Sequence, residues 1–320
     1  MQAETSALGA KLTGAGIGGC EVALVAKKKL KQVDAQLEKQ LEPPSSQEKP
    51  TRESELKSRA IILKLGGSAI TIKDKPCTAN QSVIENLARE IAEAKVQQLV
   101  LVHGGGSFGH PLAKEYAINE GLKHPSQIIG FSKTHDAMTV LNQLVVETLI
   151  RHNIPAVGIA PSSFVVTKLG RIEKMKVNII SKMLEMGFVP VLYGDAVLDT
   201  SRGFAILSGD QLIAKLAIVL GAERIILGVD VDGLCTSDPK SDPSARLIEH
   251  TNLNELKREH SWIDKAKVTD VTGGMYGKII ELIPAIEQRA RTLIVNGTKQ
   301  GTVRRALCNE KVKGTIIDRE

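Results

Sequence analysis

Aromatic side chains make up only 3% of this 320-residue chain, with a single tryptophan. So few stacking platforms, together with a net charge of +6 dispersed among 36 acidic residues, argue against nucleic acid as a partner. The cysteines Cys20, Cys77, Cys235 and Cys308 stand far apart, with no CxxC pair and no Cys/His ligand spacing. Neither a zinc site nor a disulfide framework is expected, and a reducing compartment fits. There is no apolar run of the roughly 18 residues that a membrane helix needs, so no membrane is expected as a partner. The opening Met-Gln-Ala-Glu is not followed by the basic and apolar stretches of a secretory signal, which makes a cytoplasmic location the expectation. Also absent are the phosphate loop GxxxxGK[ST], the protein-kinase motifs and HExxH. Any nucleotide must be bound by other means.

What is present is a 42% apolar composition, enough for a substantial core. From Ala60 onward, strand-like runs at 60–64, 98–102, 155–159, 188–193, 204–207, 224–229 and 292–296 alternate with helix-like segments at 80–95, 111–119, 133–152, 174–186, 210–221 and 275–290. This is the α/β pattern of a mainly parallel sheet with helices on both faces. One long connection, 230–274, is punctuated by Asp, Pro, Ser and Gly, and long excursions in compact domains tend to be functional. Ahead of the domain, residues 27–58 are rich in Lys, Glu, Gln, Pro and Ser, and Pro43-Pro-Ser-Ser-Gln-Glu-Lys-Pro50 reads as a linker. The expected division is an extension and linker over 1–58 and a catalytic domain over 59–320.

The chemistry concentrates where strands stop. Lys64-Leu-Gly-Gly-Ser-Ala-Ile-Thr-Ile-Lys73 and His103-Gly-Gly-Gly-Ser-Phe-Gly-His110 each end an apolar run with glycines and basic groups. Glycine lets the main chain approach an anion closely, and the helix that follows points its positive end at the same place. Two such loops on neighbouring strands could hold two phosphates face to face. Further polar strand ends are Tyr193-Gly-Asp195, Leu207-Ser-Gly-Asp210, Gly228-Val-Asp-Val-Asp-Gly233 and Asp270-Val-Thr-Gly-Gly-Met-Tyr-Gly-Lys278, all expected at one edge of the sheet. Phosphoryl transfer between two phosphates needs positive charge on the moving group, and lysines supply it. Asp210 suits a place between Lys64 and Lys278, where an acid keeps the ammonium groups apart and aimed. An ionised phosphate acceptor needs no general base, so His110 is expected to donate to phosphate rather than to take a proton, although a lone histidine could equally be a core residue.

Taken in order, KLGGSAIT-x-K, HGGGSFGH, SGD, DVDGL and DVTGGMxGK resemble the amino acid kinase superfamily over about residues 59–318, and the second histidine of HGGGSFGH resembles its isopentenyl phosphate kinase branch. The resemblance implies a three-layer αβα sandwich with an open sheet, a homodimer, and use of ATP and Mg²⁺ to convert isopentenyl phosphate into isopentenyl diphosphate. It implies that Lys64 and Lys278 contact the ATP phosphates, that Lys73 stabilises the transferring phosphoryl, and that His110 binds the acceptor phosphate. Gly66, Gly67 and Ser68 would cradle ATP, with Gly104, Gly105 and Gly109 at the junction of donor and acceptor. Gly209 and Asp210 would lie beside the substrate, Asp230 by the nucleotide and Gly274 over the phosphates; no side chain is expected to ligate a metal directly. The alternatives are another small phosphate, phosphonate or carboxylate as acceptor, or a nucleotide-binding regulator without turnover.

The stretch Gly9 to Val25 fits GxGxxG by letter at Gly14, Gly16 and Gly19, but a βαβ unit around it is not expected. It resembles the C-terminal glycine motif of mevalonate kinase, a GHMP-family protein, and too little of that fold is present to form a site. The expectation is a remnant of a fused or truncated upstream kinase.

Overall fold

The computed structural model describes residues 7–13, 20–25, 60–256, 258 and 274–320. The chain divides into two compact units, Met1–Lys57 and Ser58–Glu320. In the first, β1 (Ala7–Thr13) pairs antiparallel with β2 (Cys20–Val25); residues 14–19, with the GxGxxG letters, and the expected linker lie outside the described residues.

The second unit is built on an eight-stranded sheet. Its strands include β3 (Ile61–Leu65) and β4 (Leu99–His103), in which every residue is buried. Continuous burial is what parallel strands covered on both faces require. Between them come α1 (Gly67–Ile70) and α2 (Gln81–Ala94), and after β4 come α3 (Gly106–Glu115) and α4 (Ser126–Arg151). The chain continues through β5 (Ala156–Gly158), β6 (Val165–Lys168), β7 (Arg171–Met175), α5 (Asn178–Glu185), β8 (Val189–Tyr193), β9 (Asp195–Asp199), β10 (Gly203–Leu207) and α6 (Gly209–Leu220). Then follow β11 (Arg224–Val229), β12 (His250–Asn252), α7 (Gly274–Glu287), β13 (Arg291–Asn296), α8 (Thr302–Leu307) and β14 (Gly314–Asp318).

Across the large sheet the order is β12-β14-β13-β11-β3-β4-β8-β5, parallel except where β13 meets β14. Alternate side chains of each strand face opposite layers. Ile62, Val100, Val102, Ile225 and Leu227 pack with Leu212, Leu216, Ile279 and Leu282 of α6 and α7. On the other face Ile61, Leu63, Leu99 and Leu101 pack with Ile84, Leu87, Met138 and Leu141 of α2 and α4. In α2 the buried positions Ile84, Leu87, Ala88 and Ile91 fall at i, i+3, i+4 and i+7, the spacing of one helix face. The result is the expected three-layer αβα arrangement.

Two expectations need correction. The strand near 204–207 is not in the large sheet: β10 forms an antiparallel hairpin with β9 in a separate four-stranded sheet, ordered β10-β9-β6-β7. Its turn is fixed by Asp199, whose carboxylate accepts from the amides of Gly170, Ser201 and Arg202 and from Thr167 Oγ1. The segment 174–186 is not wholly helical either, because β7 pairs with β6 through Met175 before α5 begins.

Candidate active site

Strands are added in opposite directions across the sheet from the adjacent parallel pair β3 and β11: β4 lies on the far side of β3 and β13 on the far side of β11. In open α/β sheets the crevice beyond the strand ends at such a switch point is where ligands bind. Here the two loops are stitched together: Gly66 N donates to Gly228 O at 2.7 Å, and Ser68 Oγ donates to Asp230 Oδ1 at 3.0 Å. The other carboxylate oxygen of Asp230 is paired with Lys240, from the long excursion after β11. Burial alone raises the Asp230 carboxyl, but hydrogen bonds from Lys240 and Ser68 outweigh it and hold the acid below its ordinary range.

Next to it the first two glycine loops meet backbone to backbone. A Cβ on Gly67 would stand 2.4 Å from Gly106 N, and one on Gly104 would stand 2.7 Å from Gly67 N. No side chain fits there. Gly104 N is held by Leu65 O at 3.0 Å, which fixes the loop after β4 against the end of β3. Gly105 and Gly109 have a different neighbour: Cβ atoms there would be 3.1 and 2.7 Å from Met138 Sδ on α4, so both glycines admit that helix against α3.

Above the glycines lies a cluster of charge. Lys64 projects from β3 and is almost wholly buried, with Nζ 2.5 Å from Asp210 Oδ1, while Lys278 Nζ on α7 lies 3.6 Å from Asp210 Oδ2. Asp210 sits in the first turn of α6, where Ser208 Oγ accepts from its amide, and so gains from the helix's positive end. Burial pushes the Asp210 carboxyl up, but Lys64 and Lys278 outweigh this and hold it below the ordinary range. Lys64 is pushed down, first by burial and then by the nearby charge of Lys278, against the pull of Asp210. Gly209 lets the α6 turn close over Lys64, since a Cβ there would be 3.3 Å from Lys64 Cε.

His110 lies on α3 with its residue exposed at the surface. The protein packed beneath it lowers its pKa first, followed by repulsion from Lys278 and Lys64. The structure thus brings Lys64, Asp210, Lys278, Gly209 and His110 into one electrostatic neighbourhood, with the glycine loops beside them. Lys73 is exposed on the turn between Thr71 and Ala79 and makes no hydrogen bond or ion pair among the described residues. Gly274 opens α7 with φ +53°, and 270–273 lie outside the described residues.

Two further acids stand at strand ends that the sequence marks as polar without giving either acid a role of its own. Asp232 binds Lys299 at 2.6 Å, Lys313 at 2.8 Å and Asn296 at 3.1 Å, tying the loop after β11 to the end of β13. The hydrogen bond from Lys299 leads the effects that hold its carboxyl far below the ordinary range. Asp195, after β8, receives His135 Nδ1 at 2.9 Å. A cleft of about 580 Å³ lined by Arg224, Arg291, Arg305 and Lys311 shares none of these site residues.

Residues 59–296 match the Amino acid kinase family. The chain is 43% identical over 265 residues to isopentenyl phosphate kinase of Methanothermobacter thermautotrophicus, covering 80% of this chain and 98% of that protein. It is 32% identical to isopentenyl phosphate kinase of Arabidopsis thaliana, covering 71% of this chain and 85% of that protein. A solved isopentenyl phosphate kinase structure superimposes with a TM-score of 0.71 at 40% identity, covering 81% of this chain and all of that one.

Proposed function

Because the chain belongs to the amino acid kinase family, and is thus a phosphotransferase, we propose that it phosphorylates isopentenyl phosphate with ATP, giving isopentenyl diphosphate. The observation that carries this reading is the Lys64–Asp210–Lys278 bridge beside two interlocked glycine loops. In the proposed reaction an ionised oxygen of the acceptor phosphate attacks the γ-phosphorus, the bond to the ADP oxygen breaks, and the moving group spreads charge over its equatorial oxygens. Lys64 and Lys278 neutralise the ATP phosphates, and Asp210 keeps the ammonium groups separated and aimed. Amides of Gly66, Gly67 and Ser68 cradle the donor, with Gly104, Gly105 and Gly109 on the acceptor side and Asp230 and Gly274 by the nucleotide. Lys73, without a partner among the described residues, is available to meet the transferring phosphoryl, and His110 donates to the acceptor phosphate. A low pKa suits a donor that need not act as a base.

Mg²⁺ is part of the proposal. Among the described residues no three His, Cys, Asp or Glu side chains converge as a metal cage, and Mg²⁺ in kinases commonly arrives on substrate phosphates, where it adds charge neutralisation. A homodimer is proposed as the working form, supported by the exposed Ile128, Ile129 and Val140 on α4. Among the described residues no helix is long and apolar enough to cross a membrane, and a cytoplasmic setting is proposed. A coupled assay of ADP release with Mg·ATP tests the reaction: turnover is expected to depend on added isopentenyl phosphate, and release at background rate in its presence would refute it.

A further inference from the structure

Two histidines, His110 on α3 and His135 on α4, are tuned in opposite directions by their surroundings. His110 is lowered by desolvation and by Lys278 and Lys64. His135, on α4, faces a carboxylate: Asp195 Oδ1 and Oδ2 lie 2.9 and 3.1 Å from its Nδ1. Asp195 is fully buried and also accepts from the amides of Ala196 at 2.8 Å and Ser162 at 3.3 Å, so its position is fixed by the backbone. A carboxylate that can only accept requires the proton on Nδ1, and Nε2 is left as the ring's outward nitrogen. Nε2 has no partner among the described residues, and the side chain is 33% exposed.

The fold brings this pair to the phosphate loops by two routes. Asp195 follows Gly194, whose amide donates to His103 O at 3.1 Å and where a Cβ would stand 3.2 Å from Gly209 N, beside the turn that carries Asp210. One turn beyond His135, Met138 Sδ packs on Gly105 and Gly109 of the loop that leads to His110. Around it, Phe131 meets Phe204 at 5.5 Å between ring centroids, and Thr139 Oγ1 lies 3.3 Å from Tyr193 OH. An imidazole beside aromatic and apolar side chains suits an acceptor with a charged head and a hydrocarbon tail.

We propose that His135, clamped at Nδ1 by Asp195, donates from Nε2 to the phosphate of the acceptor, as a second imidazole alongside His110. The inference rests on isopentenyl phosphate being that acceptor. The hydrogen bond to Asp195 raises the His135 pKa above its ordinary value, Asp136 acts in the same sense, and the Tyr193 phenol is pushed up and stays neutral. The protonated, charged form is therefore disfavoured at His110 and favoured at His135. That charge is present below its raised pKa and lost as pH climbs through it.

The test uses the full chain with Mg·ATP and isopentenyl phosphate. In His135→Asn the amide can still donate to Asp195, but the Nε2 position is gone. The KM for isopentenyl phosphate is expected to rise about 10- to 100-fold, the range for loss of a charged hydrogen bond, with the KM for ATP within about twofold. The wild-type rise in acceptor KM as pH climbs through the raised pKa of His135 should flatten in the variant. An unchanged acceptor KM, or an ATP KM that rises in step with it, overturns the assignment. Should the variant fail to fold, NMR titration of His135 in the wild-type chain decides: isopentenyl phosphate should raise its pKa further, and an unmoved titration overturns the contact. Wild-type turnover separates the two readings. Its absence removes the acceptor itself and the inference with it, whereas turnover with an unmoved KM in His135→Asn removes the role of His135 alone.

Discussion

At the residue scale, Lys64 and Lys73 lie nine positions apart in one motif yet live in opposite environments. Lys64 is buried and pinned by Asp210; Lys73 is exposed and pairs with nothing among the described residues. Lys73→Ala removes an exposed ammonium that no described residue holds, so it should leave the thermal midpoint within about a degree, since surface changes away from special features sit within about 0.5 kcal/mol. Its effect should fall on kcat, by about 100-fold or more, as for loss of one preorganised charge at a transition state, with little change in either KM. A large KM change with kcat intact would contradict the role proposed for it. The sequence made the lysines legible because they flank glycines at strand ends. It did not reveal the His135–Asp195 pair: His135 sits in a helix with no glycine beside it, and its partner is 60 positions away. Only the packing of α4 over β8 and β9 brings them together.

At the scale of elements, the glycine motifs read correctly as strand-to-helix loops, but their mutual contact needed the register of β3 beside β4. Composition says that glycine permits close approach; only the fold says that what approaches Gly67 is another backbone. Gly67→Ala puts a methyl 2.4 Å from Gly106 N, with main chain on both sides and no flexible side chain to yield. Such overpacking costs about 1–3 kcal/mol, so the thermal midpoint should drop by several degrees, and the parting of the loops should weaken ATP binding at least about tenfold. Calorimetry for both quantities checks this, and unaltered ATP affinity would show that the contact does not shape the donor site. The four-stranded sheet escaped the sequence reading for a physical reason. Its strand β7 is Arg-Ile-Glu-Lys-Met, with no residue fully buried, and so carries neither the apolar run nor the clean alternation by which strands are recognised.

For the molecule as a whole, the family match starts at residue 59 and the large sheet at Ile61, while 80% of this chain is enough to cover 98% of the Methanothermobacter relative. Deleting residues 1–57 should therefore leave kcat/KM for isopentenyl phosphate within about twofold of the full chain, because no strand of the central sheet is removed. A folded but inactive truncation would assign the extension a part in catalysis.

The bridge at Asp210 also sets when the enzyme can exist during its own synthesis. Lys64 waits for a partner 146 positions downstream, and Asp210 then waits for Lys278. A nascent chain that has completed both glycine loops still lacks the counter-ion and the second ammonium group, so the charge cluster proposed for phosphoryl transfer cannot yet form. Assembly of the full cluster therefore has to wait until synthesis has passed Lys278.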